Sequence, residues 1–394
     1  MPRQPPATPP LLKHLNERRV LETIRADAPI SRAQISRRAG ISKPTVSLAL
    51  QTLLFAGLVR ETAPDPGLPS YGATYFEPVP EAALVLGLDL GARFLRGAIC
   101  DLGGAIRARQ DVEIAGAEAG KALDVIASLR ESLVRAAGLP DDALNGAVVG
   151  VPGAVAGPAG EVTLATNVPG IEGTAFGAAL RERLAMPVTL DNDINLAAVG
   201  ERWLGIARGV DDFAFLSIGT GLGSGIVLRG ELHRGKNGAA GEIDLVRGGE
   251  VDTDPCAAAL SDLAASLASV RAAETMLRPP YDAPSVFAAA RSGDAIASAV
   301  VQEEARRIAL HIVPIMAVAD VELVVIGGGI GANGDLLLDP IRTLLGEQLP
   351  FPPRVQVSAL GEAAVLTGAL AVGLRDARDD VFVNRAPRAA GDGA

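Results

Sequence analysis

Four short stretches of this chain carry residue types suited to gripping phosphate or polyol groups. GLDLGARF (87–94) reads as a strand ending in Asp89, a turn at Gly91 and a returning strand. In a phosphotransferase such a hairpin lets backbone N–H groups and a hydroxyl reach a nucleotide phosphate while the carboxylate holds Mg²⁺. Here Ala92, Arg93 and Phe94 follow Gly91, so the hydroxyl is missing. VTLDNDINL (188–196) runs from a strand into a helix beginning near Asp193, a carboxylate placed to accept a hydroxyl proton, to cap the helix, or both. SIGTGLGSGIVLRG (217–230) is two strands around a turn holding Gly219, Thr220 and Gly221, which either cradles an anion on backbone N–H groups or closes an ordinary hairpin. VVIGGGIGANG (324–334) is a buried strand, a cluster including Gly328 and Gly329, and a helix, allowing the backbone to approach a flat ligand such as adenine.

Two other phosphate motifs fit poorly. Gly329, Gly331 and Gly334 match a dinucleotide fingerprint, but no strand ending in Asp or Glu follows at the required distance. Gly230, Gly235 and Lys236 approach a P-loop, but Asn237 stands where a Ser or Thr must hold Mg²⁺.

The elements that must position these stations alternate between strand-like and helical runs from about residue 82 onward, predicting an α/β body. One cycle covers 82–197 and a second covers 198–377, so the body reads as two lobes with a seam near 193–210. Residues 1–12 are expected to be a flexible Pro-rich arm and 378–394 a frayed tail.

Ahead of the body, residues 13–77 form a compact basic block. Helices are drawn over 16–27, 31–39 and 42–55, with Gly40-Ile41 as the tight turn of a helix-turn-helix. Ser31 and Ser42 are natural N-caps, and Pro44 falls in a first helical turn, where a missing N–H costs nothing. Val46, Leu50 and Leu53 recur at helical spacing and should face the core with Ile35 and Ile41. Lys43, Thr45, Ser47 and Gln51 are then left outward, as donors for phosphates and base edges. Ser42, Lys43, Thr45 and Ser47 are the candidate DNA-reading residues, with Arg38 holding phosphate or lying on a solvated face. Residues 58–62 and 73–77 pair as a wing, so the block reads as a winged helix-turn-helix.

Charge supports that division. Residues 1–76 hold ten Lys/Arg against five Asp/Glu, a net of +5, whereas the whole chain carries −10, leaving −15 for the remainder. Two cysteines and three histidines are too few for a disulfide framework or an obvious metal cluster. With no apolar leader and no unbroken apolar span, the expected location is the cytoplasm.

The order of the four stations within two similar lobes resembles the ROK family (repressor, open reading frame, kinase), in the branch with an amino-terminal winged helix. The resemblance rests on ISKPTVSLALQTLLFAGLV (41–59), ATNVPGIEG (165–173), LDNDINLAAVGE (190–201) and GTGLGSGIVLRGELHRGKNGAAGEI (219–243). It implies two RNase H-like lobes of the actin/hexokinase type, with sugar in the cleft and ATP beside it in the kinase members. Carried over by motif, Asn167, Asn192, Asp193 and Glu242 are the sugar-facing residues, and Asp193 is the catalytic base if chemistry survives. Asp89, Gly91, Gly219, Thr220, Gly221, Gly328 and Gly329 are then the remains of a nucleotide site. Departures are informative. Asp244 and Leu245 replace the Gly-His that follows the family's AGE motif, and Cys256 stands alone where a zinc-binding cysteine cluster is expected, so no zinc is expected. In the wing, Gly67-Leu68-Pro69 replaces a Gly-Arg-Pro that would send an arginine into the minor groove.

These readings converge on a dimeric, sugar-responsive DNA-binding repressor of carbohydrate genes, with operator DNA and a sugar or sugar derivative as partners and no cofactor. The rival is a working ATP-dependent sugar kinase carrying a DNA-binding head, which would need Mg-ATP. A third reading gives the body a protein partner in place of a sugar.

Overall fold

The computed structural model describes residues 9–63, 73–114, 116, 118–165, 168–245, 255–271 and 274–385. Its head contains α1 (Pro9–Asp27), β1 (Ile30–Ser31), α2 (Arg32–Ala39), α3 (Lys43–Phe55), β2 (Val59–Thr62) and β3 (Tyr75–Pro78). Ser31 and Gln34 form a capping box at the start of α2, and the Ser42 hydroxyl accepts from the Thr45 N–H at the start of α3. Both caps are supplied locally, so the two helices are specified by sequence at their first turns. Val46, Leu50, Leu53, Ile35 and Ile41 are all buried, as the spacing predicts. The hairpin β2–β3 gains β1 as a third strand, giving the order β1-β3-β2. The expected arm over 1–12 is corrected in its last part, because α1 already begins at Pro9. Pro9 and Pro10 fall in its first turn, where proline surrenders no intrahelical bond.

The first lobe comprises β4 (Leu84–Leu90), β5 (Phe94–Asp101), β6 (Ile106–Glu113), α4 (Ala119–Ala136), β7 (Gly146–Val151), the hairpin β8 (Ala154–Ala156) and β9 (Glu161–Thr163), α5 (Ala175–Leu184), β10 (Val188–Asn192) and α6 (Asp193–Trp203). The second comprises β11 (Phe213–Ile218), β12 (Leu222–Leu228), β13 (Glu231–Leu232), α7 (Ala257–Val270), α8 (Ala283–Arg291), α9 (Ala295–Ala319), β14 (Leu323–Gly327), α10 (Gly328–Gly331), α11 (Gly334–Gln348) and β15 (Arg354–Val357). The chain then runs into α12 (Ala364–Arg385).

The main sheets repeat one plan: β6-β5-β4-β7-β10 in the first lobe and β13-β12-β11-β14-β15 in the second. In each, the first three strands of the lobe pair antiparallel and the remaining two add in parallel. This is the RNase H-like plan repeated. The central strands β4 and β14 are buried along their whole length, which is why LVLGLDL and LVVIG read as continuous apolar runs.

α12 departs from the sequence-based expectation. It packs back on the first lobe, with Leu370 over Gly87 and Val365 over Gly150, so a second lobe running from 198 unbroken to 377 is corrected. The expected tail from 378 is also corrected, since α12 continues to Arg385 and the buried Arg378 pairs with Glu22 of α1. An apolar face of Leu366, Leu370 and Leu374 draws the helix inward, at about 1.5–3 kcal/mol for each side chain removed from water. The same buried cluster contains Val20, Leu21 and Ile24 of α1, so head and body share one core.

α6 and α12 cross in backbone contact. A Cβ on Gly200 would lie 2.3 Å from the Ala364 carbonyl oxygen, and one on Gly368 would lie 1.8 Å from that of Leu196. Intrinsic helix propensity favours Gly→Ala by roughly 1 kcal/mol in a helix interior, so the sign of the change tests the packing. Gly368→Ala is expected to destabilise by about 1–3 kcal/mol in urea unfolding. Gly346→Ala, in α11 with nothing within 4 Å of its added methyl, should be neutral or stabilising in the same measurement.

Candidate functional site

The cleft lies where the ends of β4 and β10 meet the β12 side of the second lobe. At the end of β10, Asp191, Asn192 and Asp193 each take a different task. Asp191 is buried, accepts from the Asn192 N–H at 3.0 Å, and is held at 2.5 Å by Arg234, which follows β13 in the other lobe. The Asn192 side chain caps α6 by accepting from the Asn195 N–H at 2.9 Å and donates to the Gly153 carbonyl at 2.9 Å. Asp193 opens α6 and is half-buried. Burial first, then the nearby charge of Asp89, with a smaller push from Glu242, raises its carboxyl to about 7; the N–H of Ile194, at 2.8 Å, acts in the opposite direction.

Glu242 reaches the same cleft from the turn after β13. Gly241 sits at φ +97 with its Cα against β12, where a Cβ would fall 1.8 Å from the Ser224 carbonyl, so only glycine lets this turn close. The Ser224 N–H donates to the Gly241 carbonyl at 2.9 Å and fixes the turn. Burial, and next the charge of Asp244, raises the Glu242 carboxyl as well. Asp89, Asp193 and Glu242 therefore converge closely enough that the other two both raise Asp193. Asn167 lies outside the described residues.

At the expected phosphate hairpin the structure adds a residue that sequence reasoning missed. Arg96 is the cross-strand partner of Asp89 in the β4–β5 ladder and donates to it at 3.3 Å. It also reaches Asp111 at 3.7 Å and Glu362, just before α12, at 2.8 Å. Burial lifts the Asp89 carboxyl to about 6, opposed by this guanidinium. The hairpin register was the available signal, because directly paired residues on adjacent strands share a face. Gly91 closes the turn through its N–H to the Phe94 carbonyl at 3.0 Å.

The glycine stations of the second lobe do come together. β11 and β14 are parallel neighbours, so their following turns lie side by side, and a Cβ on Gly219 would be 3.8 Å from the Gly329 nitrogen. Thr220 and Gly221 complete the β11–β12 turn, where the Gly219 N–H meets the Gly221 carbonyl at 3.0 Å. Gly328 follows directly, at φ +80 and against the Ile218 carbonyl. Across from this shelf, the Asp89 carboxylate is engaged by Arg96, and Ala92, Arg93 and Phe94 bring no hydroxyl after Gly91. Among the described residues no group of three His, Cys, Asp or Glu side chains is placed to hold a metal ion.

On the head, Lys43 is exposed at the start of α3 and makes no ion pair among the described residues. Ser42 and Thr45 hydroxyls lie 2.8 Å apart, and the Ser47 hydroxyl donates to the Lys43 carbonyl and accepts from Arg32 at 3.2 Å. Arg38 is instead paired with Asp27, the last residue of α1. Leu48, which the sequence reading passed over, is 56% exposed on the same helix, an apolar group of the kind that contacts a thymine methyl. The wing loop with Gly67-Leu68-Pro69 lies outside the described residues. Among the described residues no helix is long and apolar enough to cross a membrane.

Comparison with known proteins gives this geometry a setting. The profile described as winged helix-turn-helix DNA-binding matches residues 14–60. The xylose repressor of Caldicellulosiruptor bescii is 26% identical over 388 residues, covering 93% of this chain and 97% of that one. A solved ROK family transcriptional regulator, described as a homolog of the E. coli MLC protein, superposes with a TM-score of 0.78 at 23% identity, over 95% of this chain and 99% of its own. A ROK family glucokinase from Streptomyces griseus, solved with glucose and AMPPNP, superposes with a TM-score of 0.63 at 26% identity, over 74% of this chain and 99% of its own. The profile described as ROK family matches residues 85–375, nearly the whole body, and the chain belongs to that family.

Proposed function

We propose that this chain is a sugar-responsive DNA-binding repressor that acts as a dimer in the cytoplasm. The observation that carries the reading is mechanical: the helix opening at the cleft carboxylate Asp193 crosses α12, and α12 shares its buried face with α1 of the DNA-binding head. A sugar that draws the lobes together acts on α6, which cannot move past Gly368 without displacing α12. α12 in turn carries α1 through Leu370, Leu374 and the Arg378–Glu22 pair. Two recognition helices in a dimer must match two half-sites, so a small change in their presentation alters operator affinity. The sugar shifts that equilibrium only by binding the two lobe arrangements differently.

Asp193, Glu242, Asn192 and Asn167 are the sugar-facing set, with Asn192 acting mainly by holding Asp193 at the helix start. Ionised Asp193 accepts from sugar hydroxyls. The relatives named xylose repressors make D-xylose the first sugar to test. Phosphoryl transfer fits less well because Arg96 occupies Asp89 and no hydroxyl follows Gly91. A coupled assay with Mg-ATP and xylose or glucose is expected to stay at background, and turnover abolished by Asp193→Asn would promote the kinase reading.

Gel shifts on the chain's own upstream region, at fixed salt, should show operator affinity changing when a sugar saturates the cleft; unchanged affinity across a broad sugar panel overturns the inducer model. Lys43→Ala should weaken operator binding on all sequences and lower the slope of log K against log salt by about 1. The folded chain holds the Asp193 proton more tightly than the unfolded chain does. Hence this group's contribution to stability falls as pH rises from the ordinary carboxylate range towards about 7. Sugar affinity should run the other way, rising from pH 6 to pH 8 in calorimetry as the acceptor ionises, and Asp193→Asn should flatten the profile.

A further inference from the structure

A hollow with a volume of about 840 Å³ lies at the junction of head and body, lined by the end of α6 opposite Asp193. Arg18 and Arg25 line it from α1, Arg202 and Arg208 from the end of α6 and the turn beyond, and Arg375 and Arg378 from α12. With Arg234, seven arginines face it against two glutamates, Glu22 and Glu231. Part of this charge is balanced: Asp211 takes Arg202 at 3.0 Å, Asp376 takes Arg375 at 3.3 Å, Asp191 takes Arg234 at 2.5 Å, and Glu22 is shared by Arg25 and Arg378. Arg208 is exposed and makes no ion pair among the described residues. The Arg202 Nε is buried without a hydrogen-bond acceptor among the described residues. Trp203 forms an apolar wall, with the Arg25 guanidinium 5.5 Å from its ring centre and Gly104 beside it.

We propose that this junction hollow is a binding site for a small phosphate-bearing metabolite, separate from the sugar cleft. Several guanidinium forks around one concave space match the geometry of phosphate oxygens, which accept paired N–H donors. The volume is within the range of small-molecule sites, and Trp203 supplies a face for the non-phosphate part of the ligand. A ligand here touches α1, α6 and α12 together, so it fastens the head to the two crossing helices and sets how firmly the cleft is coupled to DNA binding.

Trp203 is the chain's one tryptophan, so it reports directly on the site. The full chain is titrated with inorganic pyrophosphate, glucose 6-phosphate and AMP at constant ionic strength, with glucose and sulfate as controls, while its fluorescence is followed. At least one phosphate compound should give a saturable change that glucose and sulfate do not. Arg208→Glu and Arg375→Glu should each raise the half-saturation concentration by about tenfold or more while leaving the melting temperature of the unliganded chain unchanged. Asp193→Asn should leave the titration unaltered; its loss in that variant would place the ligand in the cleft and overturn the proposal. Flat titrations with all three compounds, a response equalled by sulfate, or equal titrations in wild type and arginine variants also overturn it. Weakened operator binding in Arg208→Glu with flat phosphate titrations would assign the arginines to DNA and reject the metabolite site.

Discussion

The backbone contact between α6 and α12 is the constraint on which the rest of the molecule depends. Side chains at Gly200 and Gly368 would hold apart α6, which also packs on β11 and β12 of the second lobe, and α12, which packs on the first. Backbone meets backbone at these two glycines and Leu196 packs on Ala369 and Val372 beside them, so neither helix can slide without the other responding. One end of the pair begins at a cleft carboxylate, and the other is buried against the DNA-binding head. The crossing thus joins the helix that opens at Asp193 to the core shared with the DNA-binding head.

Electrostatics in the cleft follow from crowding. Asp89, Asp193 and Glu242 approach one another in a partly dehydrated space, and burial is the first cause of the raised pKa of each. Arg96 relieves one of the three by joining Asp89 to Asp111 and Glu362. Arg234 performs a similar service for Asp191 across the two lobes. The guanidinium at Asp89 stands where a phosphotransferase needs an unoccupied carboxylate for its metal.

The head is no independent bead on a linker. Its α1 completes a core that includes Val85, Ala98 and Cys100 of the first lobe together with the apolar face of α12. The burial of Val20, Leu21 and Ile24 therefore belongs equally to DNA-binding and ligand-binding halves.

Local chemistry was legible in the sequence. Caps at Ser31 and Ser42, the apolar spacing of Val46, Leu50 and Leu53, and the continuous runs of β4, β7 and β14 depend on neighbours a few residues apart, and the chain alone determines them. The placement of α12 on the first lobe, the capture of Asp89 by Arg96 and of Asp191 by Arg234, and the arginine-lined junction were decided only by the tertiary structure. Each joins residues whose separation along the chain carries no periodic signal, or depends on a hairpin register and on which lobe a returning helix finds. The sequence named the carboxylates; folding chose which of them would be left to meet a ligand, because pairing and burial are properties of assembled surfaces and not of residue types.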